Sequence, residues 1–256
     1  RPLVIDGDGR VWYGGSYGSR EAFEYMRRHG EHLRAAAVFA VTPQHRAALL
    51  RSPATAEAAV QRLIDDCMAD RRCRSAYPDL RRALREVVQR LEAEPARFAV
   101  PGAGGADTLE LTRTRFGSLI RTLLLSPGGG AQVPYLIDLA HRGDYDRVGG
   151  LYARLAGSLE SGISRGLFLS AVCAEEAAFM TREEIRTAAQ GTFWGPGWPE
   201  AIVEQCGEWP VGELPADWRD PPRGDAPFLL MAGWLDPIAA PAWAEELTRW
   251  MPNARR

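Results

Sequence analysis

Residues 11–41 read VWYGGSYGSREAFEYMRRHGEHLRAAAVFAV, and this stretch decides the fold class. Val11, Trp12 and Tyr13 form a short β-prone run that passes straight into Gly14-Gly15-Ser16-Tyr17-Gly18. From Arg20 to Arg28, Ala22, Phe23, Tyr25 and Met26 recur at helical spacing, and His29-Gly30 supplies a stop. Leu33 to Val41 is then a continuous apolar run of the kind shown by strands buried in parallel sheets. Strand, tight turn, helix and strand together predict a βαβ unit and an α/β fold with a parallel sheet. Upstream, Leu3-Val4-Ile5 reads as a further extended segment, set off by the Asp-Gly pairs of Asp6-Gly7-Asp8-Gly9.

Downstream the pattern changes. From Thr42 to about Ala226 the chain runs through Arg- and Ala-rich helical stretches broken by Gly and Pro: Ala54 to Cys67, Leu80 to Leu91, Gly117 to Leu125, Val133 to His141, Tyr145 to Leu159 and Arg182 to Gln190. Gly191 to Arg223, rich in Trp, Pro and Gly, suits an irregular connection. Ala226 to Ala232 (APFLLMA) returns to a buried strand pattern, and a helix from Pro241 to Met251 follows. Residues 1–44 and 226–256 are therefore expected to build one parallel sheet of about three strands, interrupted by an all-helical insertion at 45–225.

The 256 residues are 46% hydrophobic and 25% charged, which suits a globular chain with a sizeable core. With 31 basic and 33 acidic residues the net charge is -2, so no global field favours nucleic acid or an anionic membrane surface. All the basic residues are Arg, which removes lysine bases and Schiff-base chemistry and points to a high-GC bacterial coding sequence. No apolar run approaches the ~20 residues that cross a bilayer, and the opening residues lack a signal-peptide core, so the chain as written reads as soluble.

Chemistry gathers at two turns. In Gly14-x-Ser16-x-Gly18 a strand turns sharply into a helix, an arrangement that needs small flanking residues and lifts a serine hydroxyl over a helix N-terminus. Ser16 is the candidate nucleophile; the alternative is a serine that caps the helix. Gly233-Trp234-Leu235-Asp236-Pro237 directly follows the last strand, which puts Asp236 on the same sheet edge if the strands are parallel. There it would orient an imidazole, or, as the alternative, simply stop the strand as an Asp-Pro turn. Hydrolases of this chain order place the histidine after the acid, yet His29, His32, His45 and His141 all precede Asp236. Of these, His45 and His141 remain as substitute bases, His45 lying just past the carboxyl end of the Leu33 to Val41 strand.

Several segments resemble bacterial α/β-hydrolases of the tripeptidyl aminopeptidase type, close to proline iminopeptidases. They are the turn and helix YGGSYGSREAFEYMRRHGEHLRA, CMADRRCRSAYPDLR, GLFLSAVCAEEAAF, CGEWP and the closing LLMAGWLDPIAAPAWAEELTRWMPNAR. The resemblance implies an α/β-hydrolase sheet with a helical cap, Ser16 as nucleophile, the Tyr17 N–H as an oxyanion donor and Asp236 as the acid. It further implies that Glu175, ahead of Glu176, pairs with the free α-amino group of a peptide substrate, against the alternative of a solvated helix start. No metal or organic cofactor is implied. Family members carry strands and a Gly-rich oxyanion loop before the turn and a Gly-His segment after PNAR. This chain is accordingly expected to represent a truncated form with little turnover of its own.

An even number of cysteines in a secreted-type family suggests two bridges, Cys67 with Cys73 and Cys173 with Cys206 among three possible pairings, or else four reduced thiols. Bridges would place the parent protein outside the cytoplasm. Phe193, Trp194, Trp198, Trp209 and Trp218 either line an apolar substrate cleft or pack a core. Two further readings stay open: the same fold acting on esters, amides or epoxides, and a non-catalytic relic whose uncovered sheet edge pairs with another chain.

Overall fold

A computed structural model describes residues 10–102 and 105–256; the Leu3-Val4-Ile5 segment lies outside them. Four strands form one parallel sheet in the order β1 (Arg10–Gly15), β2 (Leu33–Phe39), β5 (Phe228–Met231), β6 (Ala254–Arg255). Helix α1 (Tyr17–His29) joins β1 to β2, and α12 (Pro241–Leu247) joins β5 to β6. About three strands were expected. The fourth, in the closing PNAR, is too short to carry a periodic signal and forms because Ala254 and Arg255 pair with Phe228 and Leu229.

Register sets up the site. Gly15 pairs with Phe39 and Phe39 with Met231, so β1, β2 and β5 end at one level. The residues that leave the strands there, Ser16, Ala40 and Ala232, emerge side by side. The ladder continues one step further through Ser16 N–H to the Phe39 carbonyl at 3.0 Å and Ala40 N–H to the Met231 carbonyl at 3.1 Å.

The apolar runs predict strands buried on both faces, and the structure covers one. Each strand in turn is added on the same side of the last, so same-handed crossovers bring α1 and α12 to the same face. Ala22, Phe23 and Met26 of α1 meet Ala36, Val38, Phe228, Leu230 and Leu247 there. On the opposite face Tyr13, Phe39, Leu229 and Met231 are exposed.

Between β2 and β5 lie α2 (Ala48–Ala69), α3 (Arg71–Ala76), α4 (Leu80–Ala93), β3 (Ala96–Gly102), β4 (Gly105–Leu111), α5 (Arg113–Leu123), α6 (Pro127–Gly130), α7 (Val133–His141), α8 (Tyr145–Gly162), α9 (Arg165–Glu175), α10 (Arg182–Ala188) and α11 (Gly197–Cys206). The region is not all-helical: β3 and β4 form an antiparallel hairpin whose Phe98 and Leu111 enter the helical core. The 191–223 stretch is also more ordered than expected, since it contains α11 with Pro199 in its first turn. Two clusters hold these elements together. The larger joins α2, α4, α5 and α7 to Phe193 and Trp194, and the smaller joins α9, α10 and α11 to Leu49. Among the described residues, no helix is long and apolar enough to cross a membrane.

Candidate active site

Ser16 has φ 53° and ψ -119°, a left-handed conformation rare for a residue with a Cβ. Such strain costs on the order of 1–3 kcal/mol and persists only where the surroundings over-determine it. Here they do. The Ser16 N–H is tied to Phe39, and its carbonyl accepts from Ser19 Oγ at 2.6 Å, Ser19 N–H at 2.9 Å and Thr42 Oγ1 at 3.0 Å. Thr42 N–H in turn donates to Ser19 Oγ, closing the loop between α1 and the exit of β2. The Ser16 side chain makes no capping bond to α1 and is exposed, so the fold does not use this hydroxyl as a helix cap.

The two glycines that flank Ser16 are not equivalent. A Cβ on Gly14 would stand 2.9 Å from the Gly18 carbonyl oxygen and 3.1 Å from Trp12 Nε1, whereas one on Gly18 would meet open space. The expectation that both positions must be small therefore holds at Gly14 alone. Urea denaturation should show Gly14→Ala losing about 1–3 kcal/mol, as overpacked sites do. Gly18→Ala, within the helix, should be neutral or gain up to about 1 kcal/mol.

Tyr17 is the first residue of α1, so its N–H is among the donors that a helix leaves without an internal acceptor. Asp236 stands in the loop after β5. Its Oδ1 accepts from Ile238 N–H at 2.8 Å and Ala239 N–H at 2.9 Å, while Oδ2 has no hydrogen bond among the described residues. The carboxylate thus shapes its turn with one oxygen and keeps the other available. Arg62 braces this loop: its Nε donates to the Trp234 carbonyl at 2.8 Å and its guanidinium lies 5.2 Å over the Trp234 ring.

Ser16 and Asp236 line one cavity of about 520 Å³ with Phe39, Leu125, Met231 and Ile238. A neighbouring cavity of about 720 Å³ shares Leu125, Gly233 and Asp236 with it and extends along α2 past Asp66, Asp70 and the Cys67–Cys73 bridge. None of the four histidines lines either one. His141 Nε2 is 2.7 Å from Glu86 Oε2, His29 packs on Tyr25, and His32 is exposed beside Glu31.

His45 is held between Glu246, at 3.4 Å from its Nε2, and the edge of Trp250. Burial first, then the Arg46 charge, pulls it down to about 4 from an ordinary 6.5. The folded protein therefore keeps His45 neutral while the unfolded chain takes up its proton near pH 6.5, so stability falls as pH drops from 6.5 toward 4. Urea midpoints across that window should decline in the wild type and decline less in His45→Gln.

Glu175 and Glu176 are buried rather than solvated, against the alternative of an open helix start. Glu175 Oε1 accepts from Tyr17 Oη at 2.5 Å and Oε2 from Arg20 at 2.7 Å. Glu176 Oε1 accepts from Arg20 at 2.7 Å, and its other oxygen from Leu49 N–H. Sequence reading passed over Arg20, although it lies in the same SYGSR stretch as the serine. It likewise passed over Arg121, whose guanidinium lies 5.3 Å and 5.2 Å from the stacked rings of Trp194 and Trp198 and is pulled down to about 10 by burial. Phe193 and Trp194 are core residues, and none of the five aromatics of that stretch lines the Ser16 cavity or its neighbour. Trp234, outside that group, does line the neighbour. Both expected disulfides are present, Cys67 with Cys73 and Cys173 with Cys206.

No curated protein matches the chain. Residues 191–256, which contain α11, β5, the Asp236 loop, α12 and β6, match the family model described as TAP-like protein. That match, with the parallel sheet and its helices, supports an α/β-hydrolase family for the chain.

Proposed function

We propose that this chain carries the nucleophile and the acid of a serine hydrolase that acts on peptides with a free N-terminus, as its segments' likeness to tripeptidyl aminopeptidases suggests. The observation that supports the hydrolase reading is the meeting of an exposed, strained Ser16 and the half-engaged Asp236 carboxylate in one cavity. Ser16 Oγ would add to the scissile carbonyl as its proton passes to a base, with the oxyanion facing the Tyr17 N–H. Collapse of that adduct expels the protonated amine and leaves an acyl-enzyme, which water then hydrolyses.

One feature favours an ammonium-bearing substrate: the larger cavity is lined by Asp66, Asp70 and Asp236, whose charge Arg62 and Arg121 offset in part. Glu175 and Glu176 line neither cavity and their oxygens are already met by Tyr17, Arg20 and the Leu49 N–H, so the expected pairing of Glu175 with a substrate amine finds no free oxygen here. The helical region between β2 and β5 serves in this reading as the cap over the site. Two disulfides suit export to an oxidising compartment.

Asp236 acts through an imidazole in such enzymes, and no histidine lines this cavity, so slow turnover by the chain alone is expected. Fluorophosphonate labelling read by intact mass tests the assignment, with Ser16→Ala alongside and imidazole added as an external base. The expected result is an adduct on the wild type that forms faster with imidazole and is absent from Ser16→Ala. Equal labelling of the two proteins, or none on folded wild type even with imidazole, would overturn it.

A further inference from the structure

A third cavity, of about 370 Å³, lies beside β1, the edge strand of the sheet, and neither Ser16 nor Asp236 lines it. Trp12 of β1 forms one part of its wall, and Tyr17, Glu21, Tyr25 and Arg28, spaced as residues on one face of α1, form another. Trp218, from the irregular segment after α11, completes it.

The four aromatic residues are set in place before any ligand arrives. Trp12 Nε1 donates to the Gly18 carbonyl at 3.1 Å, and Tyr17 Oη donates to Glu175 at 2.5 Å. The Tyr25 ring packs at 5.4 Å from both Trp12 and His29. Trp218 is held through its neighbours: Asp217 pairs with Arg27, and Arg219 lies 5.0 Å over the Phe179 ring. Little ordering is left for binding to impose. The polar groups of Trp12, Tyr17 and Trp218 are all out of reach, the first two bonded and the third buried without an acceptor. What these residues offer a ligand is π surface.

The charge around the rings is negative. Arg20 and Arg28 also line the cavity, but Arg20 is bonded to Glu175 and Glu176, and Arg28 shares Glu24 with Arg27. Glu21, an exposed carboxylate of the lining, has no ion pair among the described residues. With Asp217 on Arg27, the carboxylates of this group outnumber its guanidiniums.

Aromatic faces in a negative surround attract a cation that asks for no hydrogen bond. We propose that this cavity binds a methylated ammonium group, of the kind choline carries. The charge of such a group is spread over apolar methyls, so it comes to rest against ring faces at less desolvation cost than a primary ammonium, whose N–H donors would go unmet. Sugar hydroxyls or an anion would need polar partners that Trp12, Tyr17 and Trp218 do not present. The site stands whether or not Ser16 is a nucleophile.

Tetramethylammonium and choline chlorides, titrated into the chain and followed by calorimetry and tryptophan fluorescence, test the site, with sodium chloride as the ionic-strength control. Dimethylbutanol, the uncharged carbon counterpart of choline, is the third probe. Both cations should bind saturably, and dimethylbutanol at least about tenfold more weakly. Trp218→Ala should weaken choline binding by about tenfold, and Trp218→Phe, which keeps a ring, by less. Glu21→Gln, on the exposed face of α1, should weaken it by about threefold. Thermal midpoints near the wild-type value show that the variants are folded; should Trp218→Ala fail to fold, Glu21→Gln and dimethylbutanol decide. Equal binding of dimethylbutanol would make the cavity a plain apolar one, and undiminished choline binding in both Trp218→Ala and Glu21→Gln would put the cation elsewhere. Either result overturns the proposal, as does the lack of saturable cation binding to the wild type. Sedimentation with phosphatidylcholine vesicles separates the two sources of the group: co-sedimentation assigns it to a lipid surface, and choline binding without it assigns it to a free cation, both in keeping with the proposal.

Discussion

Replacing Arg20 by Met should cost about 3–5 kcal/mol, as breaking a buried ion pair by removing one partner does. The guanidinium serves two buried carboxylates at 2.7 Å each and the Thr42 carbonyl. Methionine fills much of the volume and meets none of these needs, leaving two like charges side by side away from water. Arg20→Lys should recover part of the loss, since one ammonium cannot reproduce the guanidinium fork. Urea denaturation at pH 7 measures both effects. A loss under about 1 kcal/mol in Arg20→Met would contradict this account of the cluster.

The Cys173–Cys206 bridge carries the second large effect. It closes a separation of 33 residues and ties α9 to α11, two residues from Glu175. In the loop-closure account a ring of that size contributes about 3–4 kcal/mol, against about 2 kcal/mol for Cys67–Cys73 with its separation of six. Paired Cys→Ser variants should therefore rank in that order by urea midpoint. The Cys173→Ser/Cys206→Ser pair should also loosen α9, which then rests on Leu169, Val172 and their neighbours, the Glu175 bonds to Tyr17 and Arg20, and the bond of Trp209 to Ser170. Equal losses from the two pairs would show that ring size does not govern their worth here.

What could be read in advance was local. The Gly14-to-Gly18 turn, the Asp236 turn and the flanking strands announce themselves within a few residues, because backbone geometry limits which side chains fit. The partners of Glu175 and Glu176 did not, since they lie on the far side of the chain from α9 and charge pairing has no periodicity. The covered face of the sheet was equally hidden: LRAAAVF is apolar at nearly every position, so it cannot say which side α1 and α12 will take. The β3–β4 hairpin had its signal in the Gly-rich PGAGGAD between Phe98 and Leu109, but it was masked by the helical stretches around it. Helix α11 was obscured by its own opening, Gly-Trp-Pro, which reads as a turn until Pro is placed at the start of a helix.

The pairing of Ala36 with Phe228 also governs the order in which the molecule can assemble. These neighbours sit on opposite sides of the whole helical region, and bringing the ends of so long a flexible chain together costs on the order of 5 kcal/mol of entropy. Helical contacts are mostly local and form fast, so a region that condenses first shortens the effective loop before β5 seeks β2. The sheet edge that brings Ser16 beside Asp236 should then be among the last parts to close, after the helical region between β2 and β5 has formed.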